Sequence, residues 1–192
     1  MFIHKGAIYR RAKSELTFDD LWEFWLEGDP WGSQPLKDEM WTLQRFMRNA
    51  TDEEVEARAR ENLEEKHKAA LRQRYENSLS GMERLEGKDC YRVMELEQGV
   101  DPTKVDPLGT YWAYRKSGSG SYWGTGGQKQ WVIYRGRIDT KNIDKNTTAM
   151  NNVLYPEEYE VSFIEGSPIY VYDVTIGGRQ MYTIPIKDIR TC

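Results

Sequence analysis

Cysteine and histidine are scarce in this chain of 192 residues, which contains two of each. Cys90 lies in a predicted strand and Cys192 is the last residue, so neither a disulfide framework nor a metal ligand set is expected. His4 lies near the N-terminus and His67 within a charged helical segment, which argues against a Ser-His-Asp or Cys-His catalytic centre. The low cysteine content suits a reducing compartment and predicts a cytoplasmic protein.

A long apolar run is also missing. No stretch approaches the roughly 18 apolar residues of a membrane span, and the first residues lack the apolar core of a signal peptide. The net charge of -4 gives no general electrostatic reason to bind nucleic acid or an anionic membrane. Seven tryptophans and twelve tyrosines argue against disorder, so we expect a folded, soluble protein.

The chain has no phosphate-binding loop of a familiar kind. The Ser- and Gly-rich loop at residues 117–127 contains Gly-x-Gly but lacks the Gly-Lys-Ser/Thr ending of a P-loop. It also opens no obvious helix after a parallel strand, which argues against a Rossmann domain.

Residues 1–81 carry helical signals and are expected to form a helical N-terminal portion. Thr17 and Asp20 resemble a capping box, and the apolar run after them ends at Gly28, a residue suited to a helix C-terminus. A second helix is expected to begin at Pro35. Its predicted buried stripe consists of Met40, Leu43, Phe46 and Met47.

A third and longer helix is expected over residues 52–79, after a capping box formed by Thr51 and Glu54. One interpretation is a solvated helix that lies across a domain. The other is a surface that binds a partner or a second copy, although a coiled coil requires a more regular heptad. The thin apolar stripe of this helix consists of Val55, Ala59, Leu63, Ala70, Leu71 and Leu79.

Residues 82–192 are expected to form a β-rich domain. The predicted strands cover residues 90–97, 131–138, 158–164, 169–175 and 180–186. The last three are interpreted as a meander, because glycines at 166, 177 and 178 suit tight hairpins. The predicted fold class is therefore α+β, with a helical N-terminal portion and a mainly antiparallel β core.

The segment at residues 157–166 holds the most informative pattern. Read as a strand, it directs two carboxylates to one face, which costs Coulomb repulsion unless they are solvated or meet a cationic ligand. A solvated outer face and a functional site are the two interpretations. The alternation places Tyr159, Val161 and Phe163 on one face and Glu158, Glu160 and Ser162 on the other.

Arginine and aromatic residues precede this segment in a fixed order. A strand arginine can clamp a diphosphate, aromatic rings can stack on heterocycles, and a carboxylate can stabilise positive charge at a sugar carbon. Taken singly, the arginine also fits a salt bridge and the aromatic residues also fit packing. The residues in this order are Arg92, Gly109, Tyr111, Trp112 and Tyr122.

This order resembles the arginine-serine-glutamate branch of the ADP-ribosyltransferase family. Members of that branch have an Arg on an early strand, then a Gly-aromatic-Ser/Thr strand, and later a strand of the form Glu-x-Glu-apolar. Arg92 matches the first element and residues 109–113 match the second. Glu158-Tyr159-Glu160-Val161 matches the third, so the resemblance covers roughly residues 88–175.

The resemblance implies transfer of ADP-ribose from NAD to a macromolecular acceptor. We expect this acceptor to be a protein. Glu160 would stabilise an oxocarbenium-like centre, Glu158 would orient or deprotonate the attacking group, and Arg92 would bind the diphosphate. The remaining implied NAD contacts are Gly109, Tyr111, Trp112 and Tyr122.

One residue departs from the pattern of the family. Ala113 stands where the family has a Ser whose hydroxyl helps to hold the glutamate and the nicotinamide side of NAD. Thr110 or a loop serine would have to supply that hydroxyl if the chain is active.

Two other functions fit the same sequence. The first is a non-enzymatic interaction protein, whose helical half docks a partner through exposed tryptophans among Trp22, Trp25, Trp31 and Trp41. The alternative, which we favour, is that these tryptophans form the core of the helical half. The second is a binder of single-stranded nucleic acid, which would use Arg135, Arg137, Lys141 and Lys145 for phosphates. The acidic pI of 5.4 weighs against the second.

Overall fold

A computed structural model describes residues 16–28, 32–116, 129–177 and 182–192 of the chain. The described residues form helices followed by a six-stranded antiparallel sheet, which confirms the predicted α+β class. The chain divides into two compact units between Asn77 and Ser78. We call them the helical unit and the sheet unit.

The first helix of the helical unit is α1, Phe18–Glu27. The predicted capping box is confirmed, since the Thr17 N–H donates to Asp20 Oδ2 at 2.9 Å and the Asp20 N–H donates to Thr17 Oγ1 at 3.4 Å. Gly28 ends the helix with a φ of 66°, as expected for a glycine at this position. The buried face of the helix consists of Phe18, Leu21, Trp22 and Leu26.

The second helix, α2, covers Pro35–Gln44 and begins at the predicted proline. Its predicted buried stripe is wrong. Every residue of α2 is described and none is buried, while Phe46 lies beyond the helix and is 80% exposed. Trp41 is 61% exposed, with the Arg45 guanidinium 3.6 Å from the centre of its ring.

The long helix consists of α3, Asp52–Leu63, a π-helical turn, Glu64–Lys68, and α4, Ala69–Gly81. From Leu63 to Leu71 an α-helix would turn about 80° past two full revolutions. The π turn rotates less per residue, and so keeps both leucines on the buried side. The buried residues are Val55, Ala59, Leu63, Leu71 and Tyr75, whereas the predicted Ala70 is exposed and Leu79 is half-buried.

The capping box of α3 leads to a stability prediction. Thr51 Oγ1 accepts from the Glu54 N–H at 3.3 Å, and Glu54 Oε2 accepts from the Thr51 N–H at 2.8 Å. We expect Thr51→Ala to lower the free energy of urea unfolding by about 1 kcal/mol. Thr42→Ala is the control, because Thr42 lies inside α2 and alanine favours helices, so its loss should be near zero. Equal losses in both variants would contradict the capping role.

The described residues of the sheet unit form six strands, and each strand pairs antiparallel with its neighbours. The predicted β core is therefore antiparallel as expected. The strands are β1 Asp89–Glu97, β2 Tyr111–Ala113, β3 Lys129–Arg137, β4 Glu160–Ser162, β5 Pro168–Gly177 and β6 Tyr182–Thr191. Their spatial order in the sheet is β4-β2-β1-β3-β5-β6.

Two features of the sheet unit differ from the prediction. β4 and β5 are not a hairpin, because three other strands lie between them in the sheet. Residues 145–154, for which no helix was predicted, form α5, Lys145–Leu154, with Asp144 as its N-cap. The side chain of Asp144 accepts from the Thr147 N–H at 3.1 Å.

A single row of paired residues crosses the sheet. Directly opposed residues on antiparallel strands direct their side chains to the same face. We call the face that carries this row the Glu160 face. The row consists of Glu160, Ala113, Tyr91, Arg135, Asp173 and Pro185, in that order.

The opposite face of the sheet carries the core of the unit. Its side chains are mainly apolar, and some of their polar atoms donate hydrogen bonds to the segment at residues 98–110. Tyr134 Oη donates to the Pro102 carbonyl at 2.8 Å, and Trp112 Nε1 donates to the Gly109 carbonyl at 2.9 Å. The buried residues of this face include Cys90, Trp112, Val132, Tyr134, Val161, Val171 and Val174.

A β-bulge interrupts the pairing of β3 with β5. Arg135 pairs with Asp173 and Gly136 pairs with Val171, so Tyr172 is one extra residue on β5. The guanidinium carbons of Arg135 and Arg137 lie 4.8 and 5.6 Å from the centre of the Tyr172 ring. The bulge therefore directs this ring toward two arginines on the neighbouring strand.

Within the described ranges, none of the helices has the length and the apolar run that a bilayer span requires.

Candidate functional site

Glu160 is the most constrained acidic residue of the predicted site. Only 4% of its surface is exposed. Its Oε1 accepts from Asn151 Nδ2 at 2.5 Å and from Ser162 Oγ at 2.9 Å, and Asn152 Nδ2 donates to its backbone carbonyl at 2.8 Å. The interpretation of a solvated outer face is therefore wrong for this residue. The contacts fix the carboxylate between β4 and α5.

Glu158 does not lie on the strand with Glu160. Pro156–Glu158 form a 3-10 turn, and Tyr159 adopts a left-handed conformation with a φ of 48°. The strict alternation predicted for this segment is therefore wrong, and it no longer places both carboxylates on one face. Glu158 is 9% exposed, so the solvated interpretation fails for it as well.

Ser162 supplies the hydroxyl that Ala113 cannot. Ala113 is the direct partner of Glu160 on β2, and its side chain has no hydrogen-bonding group. The hydroxyl on Glu160 comes instead from Ser162, two residues further along the same strand. Sequence reasoning considered Thr110 and loop serines, and it missed Ser162 and Asn151. The alternation of Glu160 and Ser162 was the available signal.

Arg92 lies on the other side of the sheet from Glu160. Its neighbour Tyr91 belongs to the row that contains Glu160, so the Arg92 side chain leaves from the opposite face. Arg92 Nη1 donates to the Tyr111 carbonyl at 2.6 Å. A Cβ added to Gly109 would lie 3.4 Å from Arg92 Nη2. Arg92 therefore bonds to Tyr111 and lies beside Gly109, but its side chain is on the opposite face of the sheet from Glu160.

The predicted aromatic contacts have different surroundings. Trp112 is 2% exposed and its ring meets Phe163 edge-on in the core, at 6.3 Å between ring centres. Tyr111 is half-buried and pairs with Ser162. Tyr122 lies outside the described residues. Trp112 therefore has the surroundings of a packing residue.

A cleft beside β1 is lined mainly by basic and aromatic side chains. Its volume is about 610 Å³, and five cations line it together with three tyrosines and one carboxylate. We call it the cationic cleft. It is lined by Gly87, Lys88, Asp89, Tyr91, Tyr114, Arg115, Lys116, Arg135, Arg137 and Tyr172.

The cationic cleft reaches the strand of the predicted catalytic residue. The Tyr114 N–H donates to the Tyr159 carbonyl at 2.8 Å, and the Tyr114 and Tyr159 rings meet edge-on with centres 5.6 Å apart. The Arg115 guanidinium carbon lies 4.3 Å from the centre of the Tyr159 ring. Tyr159 immediately precedes Glu160, so the wall of the cleft continues into β4.

Two aspartates near Arg135 have opposite pKa shifts. Arg135 Nη2 lies 2.5 Å from Asp89 Oδ2, and Arg135 Nη1 lies 3.7 Å from Asp173 Oδ2. Burial raises the pKa of Asp173 above its ordinary value, and the Arg135 charge offsets only part of this. Burial also acts to raise the pKa of Asp89, but its hydrogen bonds, with Arg135 first, outweigh burial and hold this pKa below its ordinary value.

These shifts predict opposite effects of neutralising each aspartate. Because the folded pKa of Asp89 is lowered, its stabilisation is present at neutral pH and is lost as pH falls below about 4 through the folded value. Asp89→Asn should therefore lower the unfolding free energy by about 1–2 kcal/mol at pH 7, and by less at pH 3.

Asp173→Asn is the matched comparison. Because its folded pKa is raised, the charged form opposes folding at pH 7, so the amide should leave the unfolding free energy equal or higher. Urea unfolding of both variants at pH 7 and pH 3 measures this. A larger loss for Asp173→Asn than for Asp89→Asn would contradict the assigned electrostatics.

Comparisons with known proteins found no match: no family model, no curated protein and no solved structure is detectably similar to this chain. Among the described residues, no three His, Cys, Asp or Glu side chains are grouped as metal ligands.

Proposed function

We propose that the protein transfers ADP-ribose from NAD to a macromolecular acceptor, with Glu160 stabilising the positive charge that develops on the ribose. The observation that carries the proposal is the spatial adjacency of the three segments that resemble the ADP-ribosyltransferase pattern. Arg92, residues 109–113 and Glu160 are separated along the chain, yet they lie on or beside β1, β2 and β4, which are consecutive neighbours in the sheet.

The contacts of Glu160 also support the proposal. A carboxylate stabilises a transition state best when it is held in place before the reaction. Asn151 and Ser162 both donate to Oε1, so the carboxylate is held in one orientation. Ser162 would take the role of the hydroxyl that is missing at Ala113.

The proposed reaction breaks the bond between the ribose C1′ and the nicotinamide nitrogen. Nicotinamide leaves with the bonding electron pair, and the ribose passes through an oxocarbenium-like state. The acceptor's nucleophile then bonds to C1′ and loses its proton, which we assign to Glu158. We expect a protein acceptor and a cytoplasmic location, and the two buried, free cysteines agree with a reducing compartment.

Labelled NAD tests this proposal. The purified protein is incubated with cell lysate and NAD that carries the label in its adenylate phosphate, beside the Glu160→Gln variant. Label on a macromolecule that is lost in the variant would support transfer, and protease or nuclease digestion would identify the class of acceptor. Nicotinamide release without labelling would indicate a hydrolase. Absence of any NAD consumption would contradict the proposal.

The second candidate is a non-enzymatic interaction protein that uses the helical unit. It is supported by the exposure of Trp41 and Phe46, whereas Trp22 is buried and Trp31 lies outside the described residues. Aromatic residues are enriched in protein interfaces. A protein that neither binds nor consumes NAD would favour this candidate over the transferase.

A further inference from the structure

The cationic cleft is positively charged, whereas the chain as a whole is negatively charged. The chain as a whole carries a net charge of -4, yet five cations and one carboxylate line the cleft. Like charges gathered in one concave site repel each other, which costs free energy unless an anion is bound. Arg137 illustrates the point, because 56% of its side chain is exposed and its nearest carboxylate contact, with Asp89, is 3.9 Å long.

The cleft also contains aromatic rings, which can stack on a flat ligand. Tyr91, Tyr114 and Tyr172 line the same space as the cations. Aromatic faces stack on the bases of nucleotides, and guanidinium groups bind phosphate oxygens in pairs. A ligand with both a flat ring and phosphate groups therefore matches the lining.

We infer that the cationic cleft binds a nucleoside diphosphate, with its phosphates on Arg135, Arg137 and the neighbouring cations and its base against the tyrosines. In the transferase this would be the adenosine diphosphate half of NAD, a step that rests on the proposed function. The diphosphate of NAD would then be bound by residues on the Glu160 face, and not by Arg92, which lies on the opposite face.

The position of the cleft fits this role. Tyr91 and Glu160 lie in the same row of the sheet with one strand between them, so their backbones are about 10 Å apart. Both side chains leave from the Glu160 face. A dinucleotide whose diphosphate lies beside Tyr91 can extend along the sheet toward β4.

The size of the cleft favours a small nucleotide over a polynucleotide. Its volume of about 610 Å³ is within the usual range for pockets that hold small molecules. The net negative charge of the chain also opposes a polyanion.

Binding of ADP to the full chain tests the inference, by titration calorimetry at low and moderate salt. We expect Arg137→Gln to weaken ADP binding at least about tenfold, since a charge-assisted bond to phosphate is lost. Tyr172→Leu should weaken it by about five- to tenfold through lost stacking. Arg84→Gln is the control, because Arg84 is exposed in the same unit and does not line the cleft. Circular dichroism confirms folding of each variant.

Three further probes separate the sources of affinity. Inorganic pyrophosphate should bind more weakly than ADP and adenosine more weakly still, because each lacks one half of the ligand. A single-stranded oligonucleotide that displaces ADP and binds more tightly would overturn the inference in favour of nucleic acid. Absence of ADP binding, or equal affinity in Arg137→Gln and Arg84→Gln, would also overturn it.

The outcomes distinguish the cleft from the transferase. ADP binding that depends on Arg137, without NAD turnover, would support the cleft and contradict the proposed function. NAD turnover that Arg137→Gln leaves unchanged would support the function and contradict the cleft.

Discussion

Replacing Glu160 with Gln is expected to lower nicotinamide release from NAD at least about 100-fold. The amide has nearly the shape of the carboxylate, and its oxygen can still accept from Asn151 and Ser162. What is lost is the negative charge to which we assign stabilisation of the oxocarbenium-like ribose. The turnover number should therefore fall much more than the affinity for NAD, because the interaction is made mainly in the transition state.

Two further variants sharpen this result. Glu158→Gln should reduce transfer to the acceptor more than NAD hydrolysis, because Glu158 is assigned to the acceptor's proton. Ser162→Ala should reduce both rates by a smaller factor than Glu160→Gln, since it removes one of two donors to Oε1. Thermal unfolding shows whether each variant is folded. Full turnover in both Glu160→Gln and Glu158→Gln would show that the site is misassigned.

The second large effect is expected from Gly28→Ala, which should lower the unfolding free energy by roughly 3–5 kcal/mol. Gly28 has φ 66° and ψ -166°, a region that essentially only glycine occupies. An added Cβ would also lie 2.0 Å from the Ser33 carbonyl oxygen and 2.8 Å from Gln34 Cα. Because both atoms belong to the backbone, the clash cannot be relieved by a side-chain rotation.

Gly87→Ala is the matched control for this prediction. Gly87 has the same φ of 66°, but no atom lies within 4 Å of an added Cβ. The control should therefore report the conformational cost alone, about 1 kcal/mol. Urea unfolding followed by circular dichroism measures both variants. A loss for Gly28→Ala no greater than that for Gly87→Ala would contradict the steric argument.

Local signals in the sequence were sufficient to predict much of the fold. The capping residues Thr17 and Thr51, Gly28 and Pro35 act through bonds or torsions within a few residues, so their effects can be read from neighbouring positions. The existence of β1, β3 and β5 followed in the same way from local composition. Their pairing order did not, because β4 and β5 are adjacent in sequence and distant in the sheet.

Helix α5 was missed because its residues have weak helix propensity. Thr147, Thr148 and Asn151 favour caps and turns in isolation. In the folded chain they are buried against β4, where Thr148 Oγ1 accepts from the Ser162 N–H at 2.9 Å. Tertiary contacts therefore override local preference, and Asn151 could not be recognised as a partner of Glu160.

The candidate site was predicted in part. Glu160 and the three segments follow from their order along the chain, and the strand order places those segments side by side. The side on which Arg92 leaves the sheet depends on the register of β1 against β2, which one sequence does not reveal. The left-handed conformation of Tyr159 likewise interrupts the strand alternation that the residue types at 158–164 predict.

The bulge at Tyr172 makes this residue behave as an insertion in an otherwise regular strand. With Tyr172 removed, Val171 and Asp173 would become successive residues opposite Gly136 and Arg135. The neighbours would keep their inward and outward directions, whereas deletion of an ordinary strand residue reverses them. A chain shortened by this one residue could therefore keep its apolar core and its ladder with β3 while losing one aromatic wall of the cleft.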